Sequence, residues 1–191
     1  MKNTGLLAVI FMLTACQKPA LTATGTTESF VRYTIRSGQQ YCEQTVLKQV
    51  QLSSMKFMVK FDSTAIYSNS ESHDLGDINK LYGFSDNGGN HHEYSARFGW
   101  RWNDGKLRLF GYTYNTSARA SHEICSIEIG KVYTCAIKVE GNKYIFSVDQ
   151  LSHPMSRLSP TPMATGYKLF PYYGGDLVAP HDIHIWIRDL P

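Results

Sequence analysis

The sequence predicts an all-β domain built as a sandwich or barrel of short antiparallel strands. Three observations point there. After the first sixteen residues no long stretch repeats its apolar residues at the 3.6-residue period of a helix. Short runs rich in Val, Ile, Tyr, Phe and Trp recur instead, divided by Gly, Asn, Asp and Pro. Two of the gaps, Gly141-Asn142 and Asp104-Gly105, have the length and composition of tight hairpin turns.

In chain order, strands are expected over 30–36, 55–61, 94–102, 106–114, 123–129, 132–140, 143–149, 167–171 and 182–188, with helix confined to short pieces such as 42–49. Asp104-Gly105 as a two-residue turn fixes the register of the third and fourth strands by counting. Trp102 then meets Leu107, Trp100 meets Leu109, Phe98 meets Gly111 and Ala96 meets Thr113, a mostly apolar and therefore buried face. The opposite face pairs Arg101 with Arg108, Gly99 with Phe110, Arg97 with Tyr112 and Ser95 with Tyr114. In the same way Gly141-Asn142 sets Val139 opposite Tyr144, Ile137 opposite Phe146 and Cys135 opposite Val148, again a core face. Cys125 shares parity with Ile127 and Ile129 and points inward too. A Cys125–Cys135 bridge and two reduced core thiols are both open readings.

The ends of the chain carry a separate message. Lys2 followed by a short apolar run from Leu6 to Leu13 has the layout of a secretory leader, too short to span a bilayer. Leu13-Thr14-Ala15-Cys16 resembles the bacterial lipobox, which implies lipidation of Cys16 and a mature chain of 16–191. Gln17, in place of Asp, favours the outer membrane under the rule known for enteric lipoproteins. Residues 17–28 are small and polar and read as a tether, leaving 29–191 as one domain. The chain has 19 Lys and Arg against 16 Asp and Glu, and losing Lys2 with the leader leaves +2. That balance offers no broad basic field for nucleic acid. A monomer is expected.

The face bearing Ser95, Arg97, Arg101, Arg108, Phe110, Tyr112 and Tyr114 reads either as a solvated sheet surface or as the wall of a cleft. Two features favour the cleft. Arg101 and Arg108 would face each other as like charges, an unfavourable pairing. Aromatics gathered on one sheet face mark a binding surface. Arginines pair with carboxylates in a planar fork, so the partner expected is an acidic polysaccharide. Cleaving such a polymer by β-elimination needs a group that neutralises the uronate carboxylate, a base for the C5 proton and an acid for the departing oxygen. Tyr and His suit the last two roles, and no metal or cofactor is obligatory.

Asn79-Lys80-Leu81-Tyr82-Gly83, Ser95-Ala96-Arg97-Phe98-Gly99-Trp100-Arg101 and Gly111-Tyr112-Thr113-Tyr114 resemble segments of the jelly-roll polysaccharide lyases, in the branch of glucuronan and algal-virus-type alginate lyases. The strand pair from Ile129-Gly130-Lys131 to Ser147-Val148-Asp149 is similar to one common in the concanavalin A-like superfamily. The resemblance spans about 78–188 and implies a concanavalin A-like jelly-roll β-sandwich of two antiparallel sheets. It implies catalytic roles for Lys80, Ser95, Arg97, Tyr112 and Tyr114, with Arg97 and Lys80 on the carboxylate and Tyr112 or Tyr114 as acid and base. Arg101, Arg108, Phe110, His91, His92, Tyr172 and His181 are the candidate substrate-binding positions. Tyr82 stands where that branch has Pro. The same cleft would equally serve a non-catalytic glycan-binding or adhesion lipoprotein, and a purely structural lipoprotein also stays open.

Other chemistries are disfavoured. Adjacent His91 and His92 in a strand would point to opposite sides, so a metal held by both is not expected. Glu71, His73, Asp74 and Asp77 lack the spacing of an EF-hand loop. The Glu-x-Asp-x-Glu strand of jelly-roll glucanases is missing, and no strand offers paired carboxylates for glycoside hydrolysis.

Overall fold

A computed structural model describes residues 29–68 and 77–191. The leader, Cys16, the tether 17–28 and the acidic stretch 71–74 lie outside the described residues. The described chain forms twelve strands and one short 3-10 turn. β1 (Val31–Ile35), β12 (Ile183–Leu190), β3 (Ser54–Phe61), β8 (Val132–Glu140), β9 (Lys143–Val148) and β10 (Leu151–Ser156) make one six-stranded sheet in that order. β2 (Gln49–Leu52), β11 (Ala164–Leu169), β4 (Asn79–Ser85), β5 (Ser95–Asn103), β6 (Lys106–Asn115) and β7 (Ala118–Ile127) make the other. All pairings are antiparallel, and the two sheets pack as a jelly-roll sandwich.

Both hairpin registers follow the counts made from the sequence. Trp102 pairs with Leu107, Arg97 with Tyr112 and Ser95 with Tyr114. Cys135 pairs with Val148 and Val139 with Tyr144. Asp104 and Gly105 have φ of 50° and 68°, the left-handed pair that a type I′ turn needs. The core lies between the sheets. Phe57, Val59 and Phe61 of β3 meet Ala96, Phe98 and Trp100 of β5, with Phe57 and Phe98 edge to face at 5.7 Å. Cys125 and Cys135 are free thiols, and burial pushes both up.

Three strands and one loop differ from the sequence-based expectation. Residues 42–49 are not helical: Cys42 makes an isolated bridge with Ile35, and the chain runs on as turn and coil into β2. β2 is a four-residue edge strand, too short to show a period. β10 contains Pro154, which has no N–H to donate and is tolerated because β10 is the sheet's edge. β4 is buried along its whole length and so shows no alternation.

β4 matters most for the site. Its pairing with β5 slips between Lys80 and Gly83, so that Leu81 and Tyr82 share the space opposite Phe98. This bulge turns both Leu81 and Tyr82 into the core, where they are 0% and 1% exposed. Lys80 and Gly83 are left on the outer face beside Arg97. Tyr82, at the position where the lyase branch has Pro, packs at 5.0 Å from Phe57, and its hydroxyl donates to Asp189 at 3.2 Å. Gly83 is required because a Cβ there would lie 2.4 Å from the Cα of Arg97.

At the end of β4 a buried ion pair joins the two sheets. Asp86 and Arg157 are 0% and 2% exposed. Asp86 Oδ2 accepts from Arg157 Nε at 2.8 Å and from the Tyr144 hydroxyl at 2.6 Å, while Oδ1 accepts from the Asn87 N–H at 2.6 Å. Desolvation pushes the Asp86 carboxyl up, but Arg157, Tyr144 and Asn87 outweigh it and hold it below its ordinary value.

Candidate functional site

The outer face of β4, β5 and β6 bears a pocket of about 290 Å³. Arg97 and Tyr112 lie on facing positions of β5 and β6, Lys80 comes from β4, and Tyr114 follows two residues on. The loop 86–94 adds His91 and His92, the segment 172–175 closes one side, and Asp77 and Arg119 complete the rim.

Arg97 is the unusual member. It is 6% exposed, yet no carboxylate pairs with it among the described residues, and its Nε has no hydrogen-bond partner. Its neighbours are phenols: the guanidinium lies 5.4 Å from the Tyr112 ring centre, with Tyr114, Tyr167 and Tyr172 further out. Burial lowers its pKa from the ordinary value. Lys80 Nζ also lies 5.4 Å from the Tyr112 ring centre and donates to the Gly174 carbonyl at 2.7 Å. Burial, with Arg97 and Arg119 nearby, lowers Lys80 to about 8; Asp77, whose carboxylate is 3.8 Å away, and Asp176 only partly oppose this. Three cations, Lys80, Arg97 and Arg119, thus line a pocket whose sole carboxylate among the described residues is Asp77, a charge balance that favours an anion.

The remaining groups hold their protons differently. Burial, together with Tyr114, raises Tyr112 to about 12, so its phenol stays protonated. Burial, with Arg97 and His92 beside it, lowers His91 to about 4, so its imidazole is neutral at neutral pH. His91 is fixed by Tyr167, whose hydroxyl accepts from the His91 N–H at 3.1 Å and lies 2.8 Å from Nδ1.

His91 and His92 occupy a turn rather than a strand, where Asn90 Oδ1 accepts from the His92 N–H at 2.9 Å. The expectation that they point to opposite sides is therefore corrected: their rings lie 4.2 Å apart and both face the pocket. No group of three or more His, Cys, Asp or Glu among the described residues could hold a metal ion.

Several other expectations need revision. Ser95 is fully buried and donates to the His91 carbonyl at 2.7 Å, so it shapes the histidine loop and does not line the pocket. Arg101 and Arg108 face each other, but Arg108 is neutralised by Glu123 at 2.8 Å and Asp104 at 3.4 Å. Their juxtaposition is thus no mark of an anion site. Arg101 stacks on Phe110 at 5.2 Å, nearer the hairpin tip, and none of these three lines the pocket. Phe110 and Tyr112 are not exposed aromatics: with Ile78 they form a small second cluster that props the pocket wall. His181 lies elsewhere, its Nε2 2.8 Å from the Thr64 carbonyl, because the bend it occupies leads into the other sheet. Tyr172 does line the pocket; its backbone exchanges two hydrogen bonds with Lys80 and its hydroxyl donates to Gln40 at 2.7 Å.

Arg119, Gly174 and Gly175 were not singled out from the sequence. Arg119 faces Tyr114 across the β6–β7 hairpin, whose turn is Thr116-Ser117 with φ of 47° and 65°. A turn without Gly, Asn or Asp gives little signal, and extending the hairpin count by one strand would have been the way to find Arg119.

No protein-family model matches the sequence, and no curated protein does. Among solved structures, a family 16 glycoside hydrolase from a Bacteroides ovatus mixed-linkage glucan locus, in complex with an oligosaccharide product, is 13% identical with a TM-score of 0.47, covering 86% of this chain and 82% of that one. The Bacillus licheniformis β-glucanase is 12% identical with a TM-score of 0.46, covering 85% and 78%. The carbohydrate-binding module CBM66 of Bacillus subtilis is 8% identical with a TM-score of 0.36, covering 73% of each chain. Likenesses this distant assign no chemistry to the chain. Asp77 is the sole carboxylate lining the pocket among the described residues, so the carboxylate pair of glycoside hydrolysis is not found there.

Proposed function

We propose that the protein engages a uronate-containing polysaccharide with the Arg97 pocket and cleaves it by β-elimination, as a cell-envelope lipoprotein anchored through Cys16. The observation that carries this reading is the buried Arg97 guanidinium, which has no carboxylate partner among the described residues. A uronate carboxylate would complete its hydrogen bonding and, with Lys80, be neutralised there, which makes the adjacent C5 proton more acidic.

Two groups with oppositely moved pKa values supply the rest. Neutral His91 takes the C5 proton. The electron pair of that C–H bond becomes the C4=C5 double bond as the C4–O glycosidic bond breaks. The Tyr112 phenol delivers its proton to the departing oxygen. Tyr114 and Arg119 hold Tyr112 in place.

The test is incubation with alginate, glucuronan and other polyuronates while following the ultraviolet absorbance of the unsaturated product. Wild type should generate it, and Tyr112→Phe should lose roughly 100-fold or more in rate while still binding the polymer. Binding by wild type without new absorbance would reduce the protein to a glycan-binding module.

The pocket also sets a pH window. A lysine lowered to about 8 is charged below that value and neutral above it. Affinity for a polyuronate should therefore fall as pH rises from about 7 to about 9, a range in which ordinary lysines stay charged. Lys80→Met should bind more weakly at neutral pH and show no such alkaline decline. Affinity electrophoresis across this range reads both.

A further inference from the structure

The Arg97 pocket continues into a second, apolar groove of about 340 Å³ on the same sheet face. Arg97, His91 and Tyr172 line both, so the two share one wall. The groove's far side is the loop before β2, where Tyr41, Val46 and Leu47 stand 61%, 60% and 81% exposed. Its floor is Phe170 and Pro171 with the end of β11.

Apart from Arg97, which belongs to the first pocket, and Tyr41 at the exposed rim, the polar side chains in this groove are already engaged. The Lys168 ammonium pairs with Asp189 at 2.6 Å, and the Thr45 hydroxyl donates to the Cys42 carbonyl at 3.0 Å. The Tyr167 and Tyr172 hydroxyls are held by His91 and Gln40. With Arg97 taken by the carboxylate, a bare pyranose would bring hydroxyl groups to a surface whose inner side chains offer them little, whereas an alkyl group needs no partner. Exposed Val46 and Leu47 are aliphatic and suited to covering a methyl group, while the exposed Tyr41 ring at the rim is free to lie against the sugar that carries it.

We infer that the ligand is an O-acylated uronate glycan, with its carboxylate on Arg97 and an ester-linked acyl group of acetyl size in the groove. This rests on the acidic-glycan reading above and specifies the substrate within it.

The experiment compares one polyuronate in chemically O-acetylated form with the same preparation after mild alkaline deacetylation, by calorimetry on the wild type and on the Val46→Ser/Leu47→Ser double variant. Both positions are exposed, so the double variant should fold as the wild type does, and near-ultraviolet circular dichroism checks this. Covering one or two carbons predicts roughly four- to fifteen-fold tighter binding of the acetylated form by wild type. The double variant should bind both forms alike, at the wild type's affinity for the deacetylated one.

Equal binding of both forms by wild type would overturn the acyl assignment and leave the acidic-glycan reading standing. A preference that persists in the double variant would also overturn it. Binding of neither form would sink both. A wild-type dimer that the double variant converts to monomer, seen by sedimentation, would assign the groove to a second copy of the chain and overturn the inference as well.

Discussion

Arg97→Met is expected to abolish polyuronate binding and at the same time to make the protein more stable. Binding should fall roughly 100-fold or more, because a buried guanidinium contacting a carboxylate accounts for several kcal/mol of such an interface. Stability should rise, because Arg97 is a buried charge with no counter-charge among the described residues and an unpartnered Nε. Replacing buried charged groups by apolar ones of similar volume is often stabilising by about 1–4 kcal/mol. Loss of the contact with the Tyr112 ring offsets a small part of this gain. Thermal unfolding with and without polymer separates the possibilities. Wild type should gain melting temperature from the polymer, and the variant should start higher and gain nothing. A variant that melts several degrees lower would show that Arg97 serves the fold and not a ligand.

Asp86→Asn should have the opposite character, a large loss of stability with the pocket chemistry unchanged. The substitution keeps the shape of the side chain and removes the charge that balances Arg157. Breaking a buried pair from one side costs about 3–5 kcal/mol, which for a domain of this size is a fall of on the order of 10 °C in Tm. The pair also predicts acid sensitivity. The Asp86 pKa is depressed in the folded state, so its stabilisation is complete above the unfolded value of about 4 and is lost as pH falls through the lower folded value. Wild type should therefore lose stability on acidification below about pH 4 more steeply than Asp86→Asn does. Equal acid profiles for the two would show that another carboxylate governs the transition.

The contrast between these two arginines explains what the sequence could and could not convey. The β5–β6 hairpin was legible because Asp104-Gly105 is strong turn chemistry and period-two alternation fixes every partner after it. That count placed Arg97 beside Tyr112 and gave the pocket its floor. It could not tell that Ser95 on the same side would be sealed beneath the loop 86–94, whose irregular path follows no period, or that Glu123 would reach across from β7 to Arg108, since a Thr116-Ser117 turn and a bulge after Leu109 hide the register of that neighbouring strand. β4 carried no alternation because both of its faces are covered, and its bulge moves Tyr82 to the core without any local mark beyond Gly83. Arg157 and Asp86 are 71 residues apart and lie in segments that read as ordinary loops. Only the closing of the sandwich makes them partners.

The Asp104–Gly105 turn has a consequence for how this domain could change over time. Each residue of β5 is committed to one of two faces, the oily interior or the outer face that bears the cleft, and the tip of the hairpin decides which. Lengthening that tip by a single residue would send Arg97 toward Phe57 and present Phe98 to the ligand. The tip lies well away from the pocket and touches nothing in it, yet its length is as tightly bound to recognition as the guanidinium itself. The loop 86–94 leads into the same strand from the other side and carries no such burden of register. New specificities are therefore freer to arise there, around His92, while Asp86 and His91 keep their roles and the tip must keep its length.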